Sequence, residues 1–347
     1  MIRVALLPGD GIGTEVIGAA VTVLEHVAQR FGIAVQTEWF DLGAERYLRT
    51  GETMPEPVFQ RLRNEFDAIL LGAYGDPRVP SNIHAKEILL GLRQRLDLYI
   101  NLRPVRLVDA RLCPLKDVQA GGVDMAIVRE NTESVYVGIG GSFKPDTPDE
   151  VAQNTMLATR KGCDRLLQYS FELARKRRGK LVLCDKANAI ESAHGLCRKA
   201  LKAMAPNYPD VEAKMLYADV AAMRMVTHPH EFDVVVGDNM IGDILSDLAA
   251  ALVGGLGLAP SSSTHPGRVA MYEPVHGSAP DIVGTGKANP LAAILSLAML
   301  LEDFSHPQAA QAVRQACDRA VVERQCTPDL GGTLRTEQVT QFVCAAI

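Results

Sequence analysis

Apolar residues along this chain follow two rhythms. Short aliphatic or β-branched runs at residues 2–7, 68–71, 125–128, 180–183 and 234–236 read as strands. Between the first two, Ile17, Ala20, Val21, Leu24, Val27 and Phe31 recur at helical spacing, and residues 83–98 carry a second helical pattern. Strand and helix in alternation predict an α/β protein. A turn at residues 8–13 follows the first run, and a long loop with Gly72, Gly75 and Pro77 follows the second. Asn289 before Pro290 reads as a helix start running to about Leu301, with a capping side chain and a proline where no N–H is needed. The chain has neither a Pro/Ser-rich linker nor an internal repeat. Two lobes must therefore share one sheet or be joined by strands that cross between them.

With 347 residues, 47% of them hydrophobic, the chain can bury a core large enough for two lobes. A net charge of -5 argues against nucleic-acid binding, which needs a concentrated basic surface. The one basic run, Arg175-Lys176-Arg177-Arg178, closes a predicted helix and reads as cations complementing its dipole. Seven cysteines, an odd number without a C-x-x-C pair, read as reduced packing residues of a cytoplasmic protein. No apolar stretch reaches membrane-spanning length, so neither export nor a membrane partner is expected.

Three constellations carry candidate chemistry. In Gly242-Asp243-Ile244-Leu245-Ser246-Asp247, a helix from Ile244 onward stacks Asp243 and Asp247 at i and i+4 on one face. With Asp219 upstream, such an oxygen-only set suits Mg2+ or Mn2+; the alternative is a helix start whose acids favour the dipole. Gly9, Gly11 and Gly13 bring backbone close to a ligand or another loop, yet Thr14 occupies the last glycine position of a dinucleotide fingerprint. Arg93, Arg95, Arg103 and Arg129 fall near element ends, where a guanidinium is well placed to grip a carboxylate with two prongs. Tyr136 and Lys186 beside a cation would have the lowered proton affinity that acid–base work needs; alone, each reads as an ordinary packing or surface residue.

Several ordered segments together resemble one family across nearly the whole chain. They are Leu7-Pro8-Gly9-Asp10-Gly11-Ile12-Gly13, Leu92-Arg93, Asn101-Leu102-Arg103-Pro104, Val128-Arg129-Glu130-Asn131-Thr132-Glu133 with Tyr136, Asp185-Lys186-Ala187-Asn188, Gly242 to Asp247, and Glu273-Pro274-Val275-His276-Gly277-Ser278-Ala279-Pro280-Asp281. The chain resembles the β-hydroxyacid oxidative decarboxylases, the isocitrate, isopropylmalate, homoisocitrate and tartrate dehydrogenases, with the isopropylmalate branch as the nearest match. The resemblance implies a two-lobed α/β fold of the isopropylmalate-dehydrogenase kind, with a sheet shared between lobes, rather than a standard Rossmann fold. Residues 1–101 and 253–347 would form the nucleotide lobe, and residues 102–252 the substrate, metal and dimer lobe.

Carried over by position, the resemblance makes Arg93, Arg103 and Arg129 clamps for the malate moiety, and Asp219, Asp243 and Asp247 the metal ligands. Tyr136 and Lys186 become the acid–base pair, with Lys186 and Asp219 contributed by the second subunit of a homodimer whose sites are shared. Ile12, His276, Gly277, Ser278, Ala279, Pro280, Asp281, Ile282 and Asn289 hold the nucleotide. Asp281 implies NAD, because a carboxylate accepts hydrogen bonds from both ribose hydroxyls and repels a 2′-phosphate. Leu89 and Leu90 form an aliphatic wall near the substrate, and Asn188 and Ala189 complete its surroundings. The implied reaction is metal- and NAD-dependent decarboxylation of a 3-substituted malate, first 3-isopropylmalate to 2-oxo-4-methylpentanoate in leucine biosynthesis. Lys86 stands where a glutamate is usual in the isopropylmalate branch, with Glu87 a candidate substitute, and Ala189 stands where valine is usual. Another 3-alkylmalate, homoisocitrate, isocitrate and tartrate are the alternatives. A non-catalytic partner subunit is a further one, against which stands the retention of every acid, base and aspartate.

Overall fold

The computed structural model describes all 347 residues. Twelve strands run along the chain. The first four are β1 (Ile2–Gly9), β2 (Val35–Trp39), β3 (Ala68–Ala73) and β4 (Ile100–Arg106). Next come β5 (Asp124–Glu130), β6 (Gly140–Phe143), β7 (Val151–Asn154), β8 (Lys180–Asp185) and β9 (Glu212–Tyr217). The last are β10 (Val234–Gly237), β11 (Pro260–Thr264) and β12 (Ala270–Pro274). Every run expected to be a strand is one, extended by one to three residues, which upholds the mixed α/β expectation. No helix is long and apolar enough to cross a membrane.

The chain divides into two compact units. The first comprises residues 1–98, 106–121 and 250–347; the second comprises residues 99–105 and 122–249. Residues 106–121, placed by the sequence reading in the middle lobe, pack with the first unit: Arg106 pairs with Asp318, and Arg111 donates to the Val321 carbonyl.

In the first unit the strand order is β2-β1-β3-β12-β11, parallel except for the β11–β12 pair. Parallel strands covered on both faces have no polar side to show, which is why β3 is buried at all six positions and reads as a plain apolar run. The helix Gly13–Phe31 buries Val16, Ile17, Ala20, Val21, Leu24 and Val27 on one stripe, while Phe31 at its end is half-buried. One cluster packs Leu7, Phe59, Ile69, Leu71, Ile88, Leu92 and Met271 together. Truncating a fully buried leucine such as Leu71 to alanine costs about 2–5 kcal/mol. The pattern at residues 83–98 is helical from 83 to 95, with a wider π turn at Lys86–Leu90. The helix expected after Asn289 runs Leu291–Asp303, and the Asn289 side chain caps it by accepting from the Leu291 N–H at 3.0 Å.

In the second unit the order is β4-β5-β10-β8-β9, with β5, β10, β8 and β9 paired in parallel. Phe171 stacks on Tyr208 with centroids 4.6 Å apart, within a core of Leu166, Leu167, Leu181, Leu183, Val234 and Val236. The basic run that ends the helix Arg160–Lys176 does more than complement a dipole. Arg175 pairs with Asp210, while Arg177 and Arg178 clamp Asp124 and the fully buried Asp233. Removing Arg177 would take the near guanidinium from a buried carboxylate that keeps the Arg178 and Lys180 N–H groups and a more distant Arg178 charge. The cost therefore stays below that of a fully broken buried pair, about 3–5 kcal/mol. β6 and β7 form a separate two-stranded ribbon with every residue exposed. All seven cysteines are free thiols.

Candidate active site

The helix bearing the paired aspartates begins earlier than the sequence suggested. It runs Asn239–Ala251, so Asp243 and Asp247 lie in its interior, and the alternative of acids serving a first turn falls away. They remain one turn apart. Gly242 is required between them and the preceding turn because a Cβ there would lie 2.8 Å from the Arg129 side-chain stem.

Two buried arginines meet this helix. Arg129, at the end of β5 and 2% exposed, donates through Nη1 to Asp243 and through Nε and Nη2 to the side-chain Oδ1 of Asn239. Arg103, in β4 and 7% exposed, has Nη1 at 2.7 Å from Ser246 Oγ and 3.1 Å from Asp247 Oδ1, and Nη2 at 3.3 Å from Asp243 Oδ1. Its Nε is fixed by the Asn101 side chain at 2.8 Å. The Tyr136 hydroxyl donates to Asp243 Oδ2 at 3.1 Å, and the Arg129 guanidinium lies 5.4 Å from the Tyr136 ring centroid. Five expected residues, Arg103, Arg129, Tyr136, Asp243 and Asp247, thus form one cluster. Burial pushes the Asp247 carboxyl above its ordinary range, opposed by the Arg103 charge and reinforced by Asp243.

Lys186 and Asp219 form a second pair. Lys186 follows β8, and its Nζ lies 2.9 Å from Asp219 Oδ2 in the first turn of the helix Ala218–Thr227. That hydrogen bond holds the Asp219 carboxyl below its ordinary range. Asp219 does not join the other two aspartates within one chain, where no three His, Cys, Asp or Glu side chains are grouped to hold a metal ion. The Lys186 backbone is anchored by His194, whose Nδ1 accepts its N–H at 2.9 Å. His194 Nε2 faces Asp238 Oδ2 at 3.4 Å, and the same oxygen accepts from Ser134 Oγ. Asn188 and Ala189 lie exposed in the turn after Lys186.

The remaining expected residues belong to the first unit. Arg93 is buried and donates to Glu273 at 2.6 Å. Leu89 packs partly against the first core, and Leu90 is half-buried. Lys86 is exposed with no carboxylate partner, whereas Glu87 accepts from Thr53 Oγ1 at 2.6 Å. In the loop from His276 to Ile282, the buried Ser278 supports the turn at residues 8–13: its carbonyl accepts the Ile12 N–H at 2.9 Å. A Cβ on Gly11 would sit 2.0 Å from that oxygen, so the close approach read from the glycines is to this loop. Gly277 and Pro280 are exposed, and Ala279 takes a left-handed conformation at φ 39°. Burial lowers the His276 imidazole below its ordinary range. Asp281 is exposed and unpaired, so its carboxylate oxygens are available to hydroxyl donors. Asn289, besides capping, donates to Asp329 at 2.9 Å.

Sequence reasoning missed Glu273, Asn239, His194, Asp238 and Asp329, the residues that hold the expected site side chains in place. Only Glu273 and Asn239 had a signal: Glu273 opens a segment already quoted for the resemblance, without a role assigned to it, and Asn239 lies three residues before Gly242.

A family model described as isocitrate/isopropylmalate dehydrogenase matches residues 3–344. A 3-isopropylmalate dehydrogenase of Thermobifida fusca is 44% identical over 341 residues, covering 97% of this chain and 95% of that protein. One from Mycobacterium tuberculosis is 45% identical over 336 residues, covering 95% and 98%. Among solved structures, isocitrate dehydrogenase from Methylococcus capsulatus aligns with a TM-score of 0.90 at 35% identity, over 100% of this chain and 99% of its own. A beta-decarboxylating dehydrogenase from Thermococcus kodakarensis aligns at a TM-score of 0.81 and 35% identity, over 100% and 96%. The family expected from the motifs is the one these comparisons return: the chain belongs to the isocitrate/isopropylmalate dehydrogenase family of decarboxylating dehydrogenases.

Proposed function

We propose that this protein catalyses the NAD- and divalent-metal-dependent oxidative decarboxylation of 3-isopropylmalate to 2-oxo-4-methylpentanoate, the reaction of leucine biosynthesis. The observation that carries the reading is the convergence of Arg103, Arg129 and Tyr136 on Asp243, with Asp247 one helical turn away. Two carboxylates on one helix face with only oxygen donors fit Mg2+ or Mn2+, and Asp219 from a partner subunit would complete the set. The unpaired Asp281 fits the ribose hydroxyls of NAD. When bound, the divalent ion polarises the 2-oxo group and NAD+ accepts hydride from the substrate carbon.

The protein's own groups do the rest. Arg103 and Arg129 are fixed at Nε by Asn101 and Asn239, and their outer nitrogens, which now contact Asp243, Asp247, Ser246 and Asn239, would exchange part of those contacts for the malate carboxylates. Arg93, braced by Glu273, is the third clamp. Lys186, directly or through a water, takes the hydroxyl proton as hydride departs. Loss of CO2 leaves an enol, and Tyr136 delivers the proton that makes it a ketone.

A homodimer with shared sites is supported by exposed apolar residues on the helices that carry the aspartates. Met223 and Val226 accompany Asp219, and Ile244 accompanies Asp243, at 59%, 41% and 62% exposure. Free cysteines suit a reducing compartment such as the cytoplasm.

Lys86 favours a second reading. Glu87 accepts from Thr53, and Lys86 stands as an exposed cation on the helix that bears Leu90. A malate whose 3-substituent ends in an anion, such as homoisocitrate, would suit it. The test is NADH formation from 3-isopropylmalate, other 3-alkylmalates, homoisocitrate, isocitrate and tartrate, with Mg2+ and with a chelator. Preference for 3-isopropylmalate supports the first reading, preference for an anionic substituent the second, and metal-independent turnover refutes both.

A further inference from the structure

We propose that Asp10 and His84 form a positioning pair for substrate recognition, setting where the helix over residues 83–95 presents Leu90 and Arg93. The inference rests on the assignment of that helix to the malate side of the site.

His84 is completely buried, and its Nε2 lies 2.7 Å from Asp10 Oδ2. An ionised carboxylate only accepts, so Nε2 carries the hydrogen. The other ring nitrogen, Nδ1, is buried without a partner. That arrangement argues against packing as the purpose of the histidine. A leucine would fill apolar space without burying an unpaired acceptor, so the imidazole is there for its directional bond to Asp10. The Tyr47 ring, stacked 6.1 Å away at 27°, limits how the imidazole can turn.

Asp10 gathers separate pieces of the first unit. Besides His84, it accepts from the Ala44 N–H at 2.6 Å through Oδ1 and from the Gly75 N–H at 2.8 Å through Oδ2. Its neighbours Gly11 and Ile12 touch Ser278 of the nucleotide loop. The segment before His84 reverses direction through two left-handed residues, Ser81 at φ 52° and Asn82 at φ 49°. Non-glycine residues hold such angles only where surrounding contacts impose them. One imposing contact is Asn82 Oδ1 accepting from the Asp76 N–H at 2.9 Å; the other, at the first turn of the helix, is His84 on Asp10. Without the histidine, Asp10 keeps both backbone donors and the turn at residues 8–13 stays in place. The helix start loses its anchor.

This predicts an asymmetric effect. His84→Leu should raise the KM for the malate substrate by about tenfold while leaving the KM for NAD within about twofold, and His84→Gln, which offers an N–H at similar reach, should restore most of the loss. Hydrogen exchange should quicken in residues 76–95 of His84→Leu and not in Leu291–Asp303. Steady-state kinetics, exchange and melting of the three proteins decide the matter. Equal rises in both KM values with a lowered melting temperature, or a glutamine variant no better than leucine, would show a merely structural histidine and overturn the proposal. Wild-type kinetics in His84→Leu would overturn it too. A wild-type protein inactive on every malate tested would overturn the function and the pairing together, which separates that failure from this one.

Discussion

Lys186 Nζ and Asp219 Oδ2 lie 2.9 Å apart, and within one chain Asp219 is not grouped with two other His, Cys, Asp or Glu side chains that could hold a metal ion. Tyr136, by contrast, sits on Asp243. If each active site combines Tyr136 of one subunit with Lys186 of the other, two dead variants should complement. Tyr136→Phe and Lys186→Met homodimers would each be inactive, and hybrids formed by mixing and refolding would carry one intact site in two. Recovered turnover should approach about a quarter of wild type, the statistical limit for random pairing in a two-fold dimer. Mixtures that stay inactive although hybrids form would place both residues in the same subunit's site.

Tyr136→Phe removes a single oxygen that donates at 3.1 Å to Asp243. Arg103 and Arg129 still hold that carboxylate, so substrate binding should survive. Turnover should fall by about 100-fold or more, the usual scale for losing a general acid. Stopped-flow detection of NADH separates the steps: hydride transfer should persist in the first turnover while ketone release slows. A variant with unaltered kcat would remove Tyr136 from the chemistry.

The fold was legible where burial writes a plain signal. β3 and β10 are covered on both faces, and their aliphatic runs were readable as strands without any partner in view. The helix Asn239–Ala251 was misread at its start because its first turn contains Asn239 and Gly242, both poor helix formers. Tertiary contact decides there: Asn239 is needed by Arg129, and Gly242 makes room for the Arg129 stem. Candidate clamps and aspartates were visible through their spacing and the family resemblance. Their supports were not, since Arg93 and Glu273 are 180 positions apart and Arg129 and Asn239 are 110 apart. Single polar residues that meet only in three dimensions leave no periodicity to read.

Asp238 gives stability a specific pH dependence. Burial alone would raise its carboxyl, but His194, facing it at 3.4 Å, and hydrogen bonds from Ser134 and the Ile241 N–H outweigh it and hold the group below its ordinary range. A carboxyl lowered in the folded state contributes stability that is complete above its unfolded value and is lost as pH falls through the folded one. The melting gap between wild type and Asp238→Asn should therefore be widest near neutral pH and close at strongly acidic pH. Calorimetry across that range tests it, and a gap independent of pH would mean that the charge on Asp238 does not stabilise the fold.

Asp281 makes the last prediction, on nucleotide choice. It is exposed, unpaired and carried on the loop that Ser278 braces against the turn at residues 8–13. No cationic side chain is paired with it, so a 2′-phosphate brought to the same place meets a carboxylate, whereas a 2′-hydroxyl meets an acceptor. NAD should be preferred over NADP by about two orders of magnitude or more in kcat/KM, equivalent to a few kcal/mol. Asp281→Lys with Ile282→Tyr exchanges repulsion for attraction and should erode or reverse that preference. The loop's bracing runs through Ser278 and Ile12, which the exchange leaves untouched, so melting temperature should barely move. Paired titrations with each nucleotide, at saturating substrate and Mg2+, measure the ratio before and after. Equal use of NADP and NAD by the unaltered protein would mean that Asp281 does not face the ribose.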